Sequence, residues 1–237
     1  MKKLVVYLGL IVFATSCEKE LLTPSNQDDV KAYYTMSYNE KTNVTTVSAT
    51  FSKYTQEDFE NAPFATTIEL SGNQFVSFNS DTLYRTTNPV TGKVMYEKVY
   101  AGFIPLGEFN FRGTGSAIYV NYASIDSISA DTFPDTVALD TSYTTVWGGL
   151  PVGTFEKVEL RIHARDKVNY PDALIVKWEG QVGENNFTYN FDSFIFDEVQ
   201  EAEVTVKRTK KESLQESNHA GGNITTSYKS REKLMVF

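Results

Sequence analysis

The sequence predicts an all-β protein built from antiparallel β-sandwich layers. Three observations carry this reading. Apolar and polar residues alternate with period two along most of the chain. Aromatic residues are abundant, with 14 Tyr and 16 Phe beside many Thr and Val, and these types suit a pleated, half-buried surface. Turn signals recur at short intervals, and helical spacing is rare.

The first two strands read as a hairpin. Ala32, Tyr34, Met36 and Tyr38 alternate with Tyr33, Thr35 and Ser37. Residues 39–43 form a polar turn, and Val44, Thr46, Ser48 and Thr50 then alternate with Thr45, Val47, Ala49 and Phe51. Residues 55–61 carry a helical pattern, opened by Thr55 and stopped by Pro63. Strand-like runs follow at 66–70, 75–78, 94–103 and 118–122, with turns at Ser71-Gly72-Asn73 and Pro89-Val90-Thr91-Gly92. Residues 124–140 are rich in Asp and Ser, contain Pro134, and read as a junction. Strands resume at 144–147, 157–163, 174–178, 187–196 and 204–208. Residues 211–217 read as a helical turn or a polar loop. Gly221-Gly222 turns the chain, and strands at 224–228 and 233–237 close it. This divides the chain into residues 1–16, a tether at 17–30, one β-sandwich at 31–125 and a second at 126–237, with 126–142 as junction. Each sandwich has the size of an immunoglobulin-like domain.

The N-terminus reads as an export signal. Met1-Lys2-Lys3 precedes an apolar run over residues 4–13, then Ala14-Thr15-Ser16-Cys17. That run is about half the length a bilayer span requires. Cys17 is the only cysteine, so disulfides and thiolate metal sites are excluded for the mature chain. Ala14-Thr15-Ser16-Cys17 resembles the lipobox of bacterial lipoproteins, departing from it at Ala14, where that family usually has Leu. The resemblance implies cleavage before Cys17, diacylglycerol on its sulfur and attachment to a membrane through lipid. Glu18-Lys19-Glu20 resembles the acidic export signals of Bacteroidota-type surface lipoproteins, which implies the outer membrane and an exterior-facing domain. A solvated linker is the other reading of the same residues.

Loss of Lys2 and Lys3 with the signal moves the formal net charge from −8 to −10. That balance argues against nucleic acid as a partner bound through bulk charge. Catalytic signatures are scarce. The two histidines, His163 and His219, lack zinc-motif neighbours. His163 falls in the alternation Val158, Leu160, Ile162, which puts its side chain on the opposite, polar face with Glu159 and Arg161. No nucleophile elbow, P-loop or dinucleotide fingerprint occurs. Acidic residues such as Asp192, Asp197 and Glu179 are explained by solvated strand faces, so glycoside hydrolysis ranks last among the functional readings.

Three groups remain as candidate sites. Asp126, Asp131 and Asp135 supply hard oxygen ligands for calcium, although their spacing is not that of an EF-hand and a solvated junction is the simpler reading. Thr82, Ser127 and Thr136 each follow Asp and precede an apolar residue, a pattern resembling the O-glycosylation signal of Bacteroidota-type bacteria. Trp147, Tyr143 and Tyr170 lie near strand ends, where rings stack on sugars or anchor protein partners. Core packing is the competing reading, and it is the stronger one for Trp147. The lipobox, Val146-Trp147-Gly148-Gly149-Leu150-Pro151 and Gly221-Gly222-Asn223-Ile224 together resemble tandem immunoglobulin-like surface lipoproteins. With no further cysteine, two histidines outside any zinc motif and an acidic all-β body, the residues favour a non-enzymatic binding or structural module without a cofactor, and the resemblance implies glycan capture, adhesion or assembly. The partner would be a glycan, as in polysaccharide uptake, or an envelope protein, as in adhesion and assembly.

Overall fold

Alternation becomes strand along nearly the whole path of the chain. A computed structural model describes residues 19–22, 29–53, 67–115, 117–164, 174–192 and 201–236. The strands are β1 (Lys19–Leu21), β2 (Val30–Asn39), β3 (Val44–Lys53), β4 (Thr67–Glu69), β5 (Phe75–Phe78), β6 (Asp81–Thr82) and β7 (Tyr84–Thr87). They continue with β8 (Val94–Ala101), β9 (Leu106–Arg112), β10 (Ile118–Ser124), β11 (Ile128–Ser129), β12 (Thr136–Val137) and β13 (Ser142–Val146). The last are β14 (Gly148–Gly149), β15 (Glu156–Ala164), β16 (Leu174–Gly180), β17 (Asn186–Asn190), β18 (Glu201–Ser213) and β19 (Gly222–Val236). Among the described residues there is no α-helix, so the all-β class holds. The helical pattern at residues 55–61 lies outside them.

One 11-stranded sheet dominates, in the order β1-β4-β3-β2-β19-β18-β15-β16, with β7, β8 and β12 attached. The 10 residues of β2 are buried at every second position, as the alternation requires. Its central joint is the parallel pair β2–β19, running from Ala32↔Gly222 to Asn39↔Lys229. The sheet therefore takes strands from both sides of residue 125. Gly222 permits this joint: its φ is +152°, and a Cβ there would lie 1.9 Å from the Ala32 carbonyl oxygen.

Three smaller sheets accompany the main one, including the short pair β11–β14. The four-stranded sheet β10-β9-β5-β6 lies over β2 and β3. Tyr34 stacks on Phe109 with centroids 4.7 Å apart, and Phe51 meets Phe111 at 4.6 Å. The antiparallel pair β13–β17 lies near β16, where Trp178 contacts Trp147 at 5.6 Å and Phe187 at 5.4 Å. Such aromatic pairs stabilise the interior beyond the area they bury.

Four sequence expectations need correction. The tether does not run free to residue 30: Lys19–Leu21 pair in parallel with Thr67–Glu69. Leu22 behind them is buried, donates its N–H to the Glu69 carbonyl and accepts from Gln74 Nε2. The apolar Leu22 explains the docking, because burying it outweighs the polarity around it. The junction is packed as well. Ile128, Ala130, Phe133 and Val137 are buried between exposed acids, and Thr136–Val137 pair with Met235–Val236. Residues 211–213 continue β18, because β19 pairs with it out to Ser213↔Asn223. The two closing strands are one of 15 residues. Its polar middle is tolerated because Lys229 and Arg231 face outward, while the buried Ser230 hydroxyl accepts the Ala130 N–H.

The outer edge of β10 shows how the loop after β18 is used. Gln215 Oε1 accepts the Tyr122 N–H and Gln215 Nε2 donates to the Tyr122 carbonyl. Glu216 Oε2 accepts the Val120 N–H, and buried Asn121 receives the Gln215 and Glu216 N–H groups. Side chains here occupy an edge that would otherwise accept another strand. The double variant Gln215→Ala/Glu216→Ala is expected to self-associate, measured by light scattering against concentration. A monodisperse variant would show that the edge needs no cover.

Buried and half-buried phenols make the fold sensitive to alkali. Burial, and next to it Asp81, pushes the Tyr100 phenol up to about 12. Burial raises Tyr34 as well, and burial followed by Glu40 raises Tyr228. Their folded pKa values exceed the unfolded value of about 10. The stability they contribute is therefore complete below about pH 10 and is lost as pH rises through their folded values. Unfolding is expected above about pH 10, with part of the tyrosine ionisation, read by ultraviolet absorbance, coincident with it. Ionisation of every tyrosine in an intact fold would contradict this.

Candidate functional site

The outward faces of β15, β18 and β19 build a charged concavity. In β15 the buried set Val158, Leu160, Ile162 and Ala164 turns Glu159, Arg161 and His163 outward. Pairing sets Arg161 opposite Thr205 and Thr205 opposite Arg231. In the next row Glu159 faces Lys207, and Lys207 faces Lys229. His163 faces Glu203. These side chains line an open hollow of about 390 Å³. Arg161, Lys207, Lys229 and Arg231 outnumber Glu159 and Glu203, in a chain whose formal net charge is −8.

The two carboxylates are already engaged. Glu203 lies 3.0 Å from Arg231 Nη1 and 3.5 Å from Lys41 Nζ. Glu159 lies 2.5 Å from Arg161 Nε and 3.5 Å from Lys177 Nζ. Burial works to raise the Glu159 carboxyl, but the Arg161 hydrogen bond and charge, with Lys177 and Lys157, hold it below the ordinary value. Among the described residues no carboxylate lies within ion-pair distance of Lys207 or Lys229. Burial, then the Arg231 charge, push the Lys229 ammonium below the usual lysine value. Lys207 and Arg161 add to the shift, and Glu203 only partly opposes it. The hollow thus carries uncompensated positive charge on rigid strands.

The sequence placed His163, Glu159 and Arg161 on one polar face, and the structure agrees. Thr205, Lys207, Lys229 and Arg231 were missed as partners. Glu203-x-Thr205-x-Lys207 and Lys229-x-Arg231 have the same alternation, but register across strands is not written in spacing.

The other candidates sit elsewhere. Trp147 is buried and donates Nε1–H to the Leu150 carbonyl. The Tyr143 hydroxyl accepts the Ala138 N–H, and its ring packs edge-on against Phe191. Trp147 thus packs in the core, and Tyr143 is half-buried against it. Tyr170 and Cys17 lie outside the described residues. Asp126, Asp131 and Asp135 are exposed, and among the described residues no three His, Cys, Asp or Glu side chains come together to hold a metal ion. Thr82, Ser127 and Thr136 are all exposed, with Leu83, Ile128 and Val137 buried behind them.

The fold and this face define an all-β protein with a cationic outer sheet surface. No family model matches the chain, and no curated protein matches it. Among solved structures it is similar to the Yersinia pseudotuberculosis adhesin InvE, at 10% identity over 86% of this chain and 59% of that one. The chain thus spans less than two thirds of that protein's length, and the TM-score of 0.20 is too low to bear on fold or function.

Proposed function

We propose that the chain is a lipid-anchored cell-envelope module that binds a partner without chemical conversion, through the cationic face of β15, β18 and β19. Anchorage rests on the lipobox-like Ala14-Thr15-Ser16-Cys17, and an outer-membrane, exterior-facing position on Glu18-Lys19-Glu20. The observation that carries the binding role is the hollow lined by four cations and two engaged carboxylates. Adjacent strands lie about 4.8 Å apart. From β1, next to the anchor, to β19 and β15 the sheet order counts four and six steps. The face therefore lies about 20–30 Å along the sheet from β1, the strand nearest the proposed lipid site in sequence. An acidic glycan of the cell exterior fits this charge best. Immunoglobulin-like sandwich packing is proposed for the layers, with the main sheet shared between the two halves of the chain.

The test is an array of neutral and acidic glycans probed with the full-length chain in detergent and with the Lys207→Glu/Lys229→Glu variant. Acidic glycans should bind the natural chain and fail to bind the variant. An array on which neither protein binds anything would overturn the glycan-binding role.

A further inference from the structure

We propose that the hollow floored by Thr205 is an oxyanion site that takes a sulfate or phosphate ester group of an acidic polymer, with Lys207 and Lys229 as the primary donors and Arg161 and Arg231 beside them. This rests on the reading of that face as the binding surface and names the chemistry it recognises.

Three independent features converge there. Lys207 and Lys229 are direct cross-strand partners. Like charges so placed cost stability, and among the described residues neither has a carboxylate within ion-pair distance. A bound anion would turn that cost into attraction. Arg231 is also incompletely used: its Nη1 reaches Glu203, while among the described residues its buried Nε–H has no acceptor. Two ammonium groups that have no carboxylate partner among the described residues, beside a guanidinium with only one engaged terminal nitrogen, favour an added anionic acceptor. Finally, the groups surround one point. Arg161 and Arg231 flank the Thr205 position in a single row, about two strand spacings or 9.6 Å apart in backbone. The lysine pair lies two residues along, about 6.8 Å away. Donors arriving from several directions suit a tetrahedral group with three free oxygens better than a planar carboxylate, which favours a single two-pronged partner. The lowered lysine basicity at Lys229 agrees with this crowding. The hollow, about 390 Å³ and open, leaves room for the polymer that carries the ester.

The experiment titrates the full-length chain in detergent with sodium sulfate, sodium phosphate and sodium acetate at constant ionic strength. It is followed by dextran sulfate, polyphosphate and unmodified dextran. Sulfate and phosphate should bind more tightly than acetate. Lys207→Gln/Lys229→Gln should weaken both by about ten-fold or more, the loss expected for removing charged hydrogen bonds. The same variant should melt no lower than the natural chain, because it removes a like-charge pair. Preference for dextran sulfate marks a sulfated glycan as the source, and preference for polyphosphate marks a phosphorylated one. No saturable binding of either oxyanion, or equal binding by the double variant, overturns the site. Capture of a neutral glycan through this face, without oxyanion binding, also overturns it while leaving the binding role intact.

Discussion

Cys17→Ser is expected to abolish lipid labelling and release the chain from membranes. The mature protein would then behave as a soluble domain with its binding face intact. The reason is additive: each buried methylene contributes about 0.8 kcal/mol, so two or three acyl chains give a stable anchor and none gives no anchor. The fold sharpens the consequence. Only Glu18 separates Cys17 from β1, and Leu22 is buried beyond it. On the proposed anchorage, a lipid at Cys17 would hold the sheet edge at β1–β4 near the bilayer. The check is radiolabelled palmitate incorporation with membrane fractionation. Retention of the variant in the membrane fraction, with no lipid on the natural chain, would contradict the anchor.

Arg208→Ala is expected to destabilise the fold strongly. Arg208 is fully buried on the inner side of β18. Its Nη1 lies 3.3 Å from Glu156 Oε2 and 3.9 Å from Asp126 Oδ2, and its Nη2 donates to the Leu150 carbonyl. That same carbonyl accepts the Trp147 indole N–H. One guanidinium thus ties β18 to the segment carrying Trp147, Leu150 and Glu156. Removing it leaves the largely buried Glu156 carboxylate and a carbonyl short of their donors. Breaking a buried pair from one side costs about 3–5 kcal/mol. In a chain of this size that is a fall in melting temperature of roughly 10 °C. Arg208→Met combined with Glu156→Gln should cost less than Arg208→Ala, because the combination removes both charges and keeps the volume. A melting temperature for Arg208→Ala within about 2 °C of the natural chain would show that the network carries little.

Much of the strand content was legible because it depends on neighbours two apart. The hairpin of Val30–Asn39 and Val44–Lys53 follows from its alternation, with Asn43 turning in the left-handed region at φ 50°. The polar side of β15 was legible for the same reason. What spacing does not contain is which strands meet. The parallel β2–β19 joint links residues about 190 apart in sequence, and its requirement for Gly222 becomes visible only with Ala32 beside it. Polar stretches misled where one buried apolar residue decided the outcome. Leu22 pulled a presumed tether onto the sheet, and Val137 and Phe133 did the same for the presumed junction. Trp147 kept two readings in the sequence because a ring near a strand end serves core or surface equally; in the fold it packs on Trp178, which arrives from a distant strand.

The most direct test of the binding role is amide chemical-shift mapping on the isotope-labelled full-length chain in detergent, titrated with the best acidic glycan from the array. Saturable shifts should concentrate at Arg161, Thr205, Lys207, Lys229 and Arg231 and be absent in Lys207→Glu/Lys229→Glu. Shifts centred instead on the exposed Leu150 and Phe155 loop or on β13 and β17, and unchanged in that variant, would contradict it.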